Sequence, residues 1–162
     1  MPDIQRPDMS DYGVPPELEG ALDWAWAEEQ LQASRNYWVV TVDLRSRPHA
    51  MPVWGVWFDD RFWFSAAPSA LKVRNITENP HVVVMAEDTV NVVSIEGTAA
   101  RVDGRRDVAE AWAARYEADT DRRRELADFM MGGSCFEVTP VRAFGLIESE
   151  ERFSSSATRW VW

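Results

Sequence analysis

The sequence predicts a mainly β protein, an antiparallel barrel with a few helices packed outside it, and three observations carry that prediction. Short runs rich in β-branched and aromatic residues succeed one another at 37–42, 49–58 and 61–65, which is the signature of a strand meander. The turns between them, 43–48 and Asp59-Asp60, are too short for the crossover that a parallel pair requires. Further short strands follow in hairpin order, and closing antiparallel strands into a barrel removes exposed edges.

Each element has a local reason. Residues 1–20 are polar, carry Pro2, Pro7, Pro15 and Pro16, and show no apolar period; they read as a flexible N-terminal arm or an arm laid on a neighbour, with one domain over 21–162. Over 22–34, Leu22 and Trp26 lie four apart and Trp24 and Leu31 seven apart, the spacing of an amphipathic helix closed by Ser34-Arg35-Asn36. Pro52 cannot donate to a ladder, so the second strand is an edge or carries a bulge. Residues 69–79 are helix-compatible and stop at Asn79-Pro80. Strands follow at 81–86 and 91–102. A helix over 105–118 places Val108, Trp112 and Tyr116 on one face, and another over 121–131 closes at Gly132-Gly133, a C-cap signal. Final strands are expected at 136–138 and 142–147, broken by Thr139-Pro140.

Composition narrows the function. With 17 basic and 27 acidic residues in 162, the net charge is −10, which argues against a nucleic-acid-binding domain and against a surface drawn to anionic lipid. One cysteine and two histidines build neither an internal disulfide nor a typical structural zinc site. No apolar run approaches the length of a membrane span, and the N-terminus lacks a secretory pattern. A cytoplasmic protein with no membrane span is expected.

Catalytic templates are absent: no Walker sequence, no dinucleotide glycine fingerprint, no Gly-x-Ser-x-Gly, no His-Glu-x-x-His. Cys135 sits in an apolar context and reads as an inert buried thiol. Arg122-Arg123-Arg124 reads as a solvated helix face. The stretch from Ser65 through Ala66-Ala67-Pro68-Ser69 to Lys72 is more suggestive. Small residues let backbone approach a ligand, serine hydroxyls and free N–H groups at a helix start bind phosphate oxygens, and Lys72 is the only lysine of the chain. A plain loop entering a surface helix fits the same spacing equally well. Among Met51, Val53, Trp54, Trp57, Trp63 and Phe64, alternation in a barrel wall turns half inward and leaves the rest as an apolar shelf, for a partner or a ligand.

Arg47-Pro48-His49-Ala50-Met51-Pro52-Val53-Trp54-Gly55-Val56-Trp57, then Phe64-Ser65, Lys72-Val73-Arg74-Asn75, Asn79-Pro80, Glu96-Gly97-Thr98-Ala99, Ala143-Phe144-Gly145 and Ala157-Thr158-Arg159-Trp160 together carry a resemblance. In order and spacing they resemble the pyridoxamine 5′-phosphate oxidase-like flavin-binding split barrels, most closely the actinobacterial B group of flavin/deazaflavin-dependent oxidoreductases. The resemblance implies an antiparallel split β-barrel homodimer with a cofactor in each of two interface grooves. The cofactor it implies is coenzyme F420, with FMN as the alternative. By position, Met51, Pro52, Val53 and Trp54 would line the tricyclic ring, Phe64 would accompany them, and Ser65, Ser69 and Lys72 would hold the phosphate. His49 would lie near the ring or the substrate. The implied reaction passes hydride from reduced deazaflavin to an activated double bond of a small organic acceptor, with no acid, base or nucleophile assigned. An FMN-dependent oxidase and a non-catalytic F420 or flat-ligand binding protein are the alternatives. The chain departs from the pattern at Ala70, where members often carry a basic residue, and at Arg45-Ser46, where Asp-Gly is usual; Arg45, Arg47 or Arg74 would have to compensate. Arg159 and Trp160 either reach into a partner's groove or end a strand.

Overall fold

The structure is a computed structural model describing residues 1–162. It holds nine strands, β1 (Asp3–Gln5), β2 (Tyr37–Val42), β3 (Pro48–Val53), β4 (Gly55–Phe58), β5 (Arg61–Ala66), β6 (His81–Ala86), β7 (Asn91–Arg101), β8 (Ser134–Ile147) and β9 (Thr158–Val161). The helices are α1 (Trp24–Ala33), α2 (Leu71–Glu78), α3 (Arg106–Tyr116), α4 (Thr120–Met131) and the single turn α5 (Phe153–Ser156). No helix is long and apolar enough to cross a membrane.

All strand pairs are antiparallel, in the order β1-β9-β8-β7-β6-β2-β3. β8 pairs with β7 along one edge, while its other edge takes β5 on its first half and β9 on its second. β5 in turn pairs with β4. The sheet therefore ends on β3 at one side and forks beyond β8 to end on β1 and on β4; β3 and β4 are joined by one residue, Trp54, without pairing. The barrel is split there rather than closed. The run expected as one strand over 49–58 is thus two, and Pro52 stands on an edge strand as its missing donor requires.

Two other expectations are corrected, and one open pair of alternatives is decided. Thr139-Pro140 does not break β8, because a register shift opposite Glu96 and Gly97 absorbs the interruption as a bulge. Gly97 permits it: a Cβ there would lie 2.3 Å from the Thr139 carbonyl oxygen. The N-terminal arm is docked on its own chain. Asp3–Gln5 pair with β9, and the Arg6 guanidinium donates to the carbonyls of Glu17, Glu19, Ser155 and Ala157. Trp160 does not reach outward; it is fully buried in β9, with its ring 5.3 Å from Trp24.

Two cores flank the β4–β5 ribbon. The larger fills the barrel with Tyr37, Val39, Trp57, Phe62, Phe64, Val84, Ile95, Phe136 and Trp160, and α1 plugs it with Trp24 and Leu31. The Asp23 side chain caps α1 by accepting from the Trp26 N–H. The smaller core lies on the other face of the ribbon, where Val56 and Trp63 meet Val108 and Trp112 of α3 and Ala127 and Met130 of α4.

Candidate functional site

At the split, a cleft of about 600 Å³ opens between the two cores. One wall comes from the strand side. Pro52, Val53 and Trp54 line it where the chain crosses from β3 to β4, and Ser65, Ala66, Ala67 and Pro68 continue it at the end of β5. Lys72, on the first turn of α2, completes this wall. Its ammonium is half-buried, and burial alone lowers its pKa from the ordinary lysine value, with no carboxylate contributing.

The second wall is helical and was not foreseen in the sequence. Trp112 of α3, Asp128 and Phe129 of α4, and Gly132-Gly133 face the strand residues across the cleft. Phe129 stands 75% exposed at the rim, so it is available to a ligand. The Asp128 carboxylate is held by Arg106, which keeps it from opposing Lys72 as a free charge. Gly132 ends α4 in right-handed conformation (φ −78°), so the glycine pair does not serve the left-handed cap that its sequence suggests. Its use is close approach: a Cβ on Gly133 would lie 2.4 Å from the Ser65 Oγ.

Trp54 is fixed from behind. Tyr116 stacks on it at 4.5 Å with the rings 6° from parallel. The Tyr116 hydroxyl accepts from the Gly55 N–H at 2.9 Å and lies 2.8 Å from the Arg35 carbonyl, so the stack is tied to backbone on both sides. The Arg35 guanidinium lies 5.7 Å from the Trp54 ring and 5.8 Å from Tyr116, beside the pair.

Of the nine residues singled out in the sequence, five converge on the cleft: Pro52, Val53, Trp54, Ser65 and Lys72. Phe64 does not, since it is fully buried in the barrel core and stacked on Phe136 at 5.3 Å. Met51 is 44% exposed on the edge strand, outside the cleft. Ser69 lines a neighbouring hollow with Arg74, on another side of α2. His49 pairs with Thr41 across β2–β3, and its Nδ1 is buried without a partner. Arg47 is no spare cation, being bound to Asp43 at 2.7 Å. Cys135 is buried, and desolvation pushes its thiol up to about 11, so it is neither ionised nor nucleophilic at neutral pH.

Residues 25–141 match the sequence profile of the family described as pyridoxamine 5′-phosphate oxidase. No curated protein matches the chain. Among solved structures, a conserved hypothetical protein from Mycobacterium tuberculosis, Rv2991, is similar with a TM-score of 0.66 at 20% identity, over 75% of this chain and 82% of its own. HutZ, a heme storage protein from Vibrio cholerae, gives 0.58 at 19% identity over 70% and 87%. A protein described as an F420 reductase gives 0.54 at 16% identity over 72% and 94%. At such identities these likenesses show a shared fold.

Proposed function

The chain belongs to the pyridoxamine 5′-phosphate oxidase family, and on that premise we propose that it is an oxidoreductase that binds coenzyme F420, or FMN, in the cleft at the split of the barrel. The observation that carries this reading is Lys72: an ammonium without a carboxylate partner, partly withdrawn from water, in a chain of net charge −10. Such a cation gains most from an anion, and a phosphate also finds the Ser65 hydroxyl in the same cleft. Pro52, Val53 and the braced ring of Trp54 offer a flat apolar surface beside it, in a volume typical of small-molecule sites. The residues present therefore fit a flat heterocycle with an anionic tail.

When bound, the coenzyme supplies hydride for an activated double bond of a small organic acceptor, a capacity that the surrounding protein does not need to create. The chain's own contribution is to anchor the tail through Lys72 and Ser65, to fix the ring through Trp54 and Tyr116, and to shed water from the reacting face with Phe129 and Trp112. No ionised thiol competes, and Asp128 is held by Arg106.

A homodimer belongs to the same proposal. The outer face of β2, β3 and β6 exposes Trp38, beside its cross-strand partners Pro52 and Met85. A hollow of about 400 Å³ continues that face past Val40, Val83 and Val141. A second copy covering it would bury apolar surface at the edge that carries Met51 and Trp54.

Purified protein is titrated with F420 and with FMN, following ligand fluorescence. Micromolar or tighter binding of F420, followed by acceptor-dependent oxidation of the reduced coenzyme with a panel of enones, supports the reading. Tight binding of FMN alone moves the assignment to an FMN enzyme. Tight binding without turnover leaves a ligand-binding protein, which the lack of a poised acid or base in the cleft also accommodates. Sedimentation velocity at micromolar concentration reads the dimer.

A further inference from the structure

We infer that Asn75 is a positioning residue, which sets the place of the Lys72 ammonium through a buried hydrogen bond to Thr41. This rests on the reading of Lys72 as the partner of the coenzyme's anionic tail. α2 has only eight residues and no side-chain cap at its N-terminus, where Ala70 stands. A helix so short is marginal on its own and takes its position from what it packs against. Its apolar anchors, Val73 and Ile76, join the barrel core. Apolar packing is non-directional, so these two side chains fix the depth of the helix on the barrel more firmly than its rotation.

The directional tie is Asn75. It is 1% exposed, and its Nδ2 donates to the Oγ1 of Thr41, itself fully buried on β2, at 3.0 Å. The same Thr41 hydroxyl lies 3.5 Å from the carbonyl of His49, the residue directly opposite on β3. The bond thus joins the helix carrying Lys72 to the strand pair whose edge carries Pro52 and Val53. Lys72 and Asn75 are three apart, hence neighbours on the helix surface, so a roll that breaks the Asn75 bond also swings Lys72. Two polar atoms of this cluster, Asn75 Oδ1 and His49 Nδ1, are buried without partners. A buried amide that keeps one hydrogen bond and leaves its oxygen unpaired adds little net stability, whereas its one bond is directional and ties the helix that carries Lys72 to β2.

The test compares each coenzyme with the form that lacks its anionic tail: FMN against riboflavin, which differ by the phosphate alone, and F420 against its deazariboflavin core, which lacks the whole tail. Dissociation constants are measured for the wild type, Lys72→Ala, Asn75→Ala and the double variant. Loss of one charge-assisted contact predicts about a tenfold weaker phosphorylated ligand in Lys72→Ala, with the phosphate-free ligand unchanged. Asn75→Ala is expected to lose about three- to tenfold, again only for the phosphorylated ligand, and to add nothing in the Lys72→Ala background. Thr41→Val reproduces the effect should Asn75→Ala fail to fold, and Thr41→Ser restores wild-type affinity. Equal losses for both forms, or losses that multiply in the double variant, overturn the positioning role. If Lys72→Ala itself fails to discriminate the two forms, the reading of Lys72 falls first, and this inference with it.

Discussion

The two cores on either side of the β4–β5 ribbon do different work. The barrel core gathers 22 buried residues from nearly every strand and from α1 and α2, so it holds the larger share of the buried apolar surface that stabilises the chain. The helical core has nine and involves one short sequence excursion, α3 and α4, leaning on Val56 and Trp63. The cleft lies along the seam. Its strand wall is held by the larger core and its helical wall by the smaller, so a local opening confined to the smaller core is the one that would widen the site.

The strongest way to break that contrast is to weaken each core by one side chain. Phe62 is fully buried in the barrel core, and Phe62→Ala is expected to cost about 3–5 kcal/mol. Met130, 1% exposed in the helical core, should cost about 2–3 kcal/mol as Met130→Ala. Denaturant unfolding measures both. The contrast requires more: Met130→Ala should weaken coenzyme binding beyond what its stability loss accounts for, and Phe62→Ala should not. Equal effects on binding would mean one cooperative core.

A second test separates the charge on the strand wall from the fold that holds it. Burial lowers the Lys72 pKa, so as pH rises through that lowered value the ammonium deprotonates in the folded state before it would in the unfolded chain. Over that window the unliganded fold is slightly stabilised by rising pH, because the unfolded state binds more protons. Binding of a phosphorylated coenzyme has the opposite sign: its affinity falls, by at most about tenfold per pH unit for one proton. The flavin ring's own ionisation is common to FMN and riboflavin, so the readout is the ratio of their affinities, which should fall over this range, and Lys72→Ala should abolish that fall. A slope shared by both ligands would place the titrating group elsewhere.

How much of this was legible follows from the same division. On the strand wall the sequence offers local signals: a proline that needs an edge, and a run of small residues with a solitary lysine, which fit a plain loop equally well. The ring-lining part of Pro52, Val53 and Trp54 came only from the resemblance. The helical wall could not be read. The period of 105–118 shows that Trp112 faces something apolar, without saying that the surface is the back of β5. Phe129 stands on the exposed side of its helix and gave no periodic signal. Gly132 does cap α4, as its sequence suggests, though not in left-handed conformation, but nothing in sequence tells that Ser65 comes to lie against Gly133. Phe64, placed near the ring by the resemblance, could not be checked from its period for a related reason. Period two assigns faces only when one face is wet, and the ribbon is buried on both, with Phe62 and Phe64 in one core and Trp63 in the other. The docked arm was hidden too, since β1 is held by three ladder pairs and one arginine rather than by an apolar stripe.

Gly133 sharpens the comparison at the point where the walls touch. A methyl group there meets the Ser65 hydroxyl, which can rotate away, so Gly133→Ala should cost less than about 1 kcal/mol of stability. The hydroxyl then leaves its place in the cleft, and affinity for the phosphorylated coenzyme should drop a few-fold, matching Ser65→Ala. Parallel titrations of the two variants check it; a stability loss near that of Met130→Ala would show that the contact supports the helical core instead.

The smallest effect is read from Cys135, which lies in the helical core where β8 begins. With its thiol buried and pushed up to about 11, it should resist a maleimide or iodoacetamide at neutral pH in the native protein. Whatever slow labelling occurs must pass through an opening that exposes it. If α3 and α4 lift as a unit while the barrel stays folded, labelling will depend on denaturant with a slope well below that of global unfolding, because only the smaller core is exposed. Bound coenzyme, spanning both walls, should slow it by holding α3 and α4 against the barrel. A labelling slope equal to the global one, unmoved by ligand, would show that the helical wall opens only when the whole barrel does.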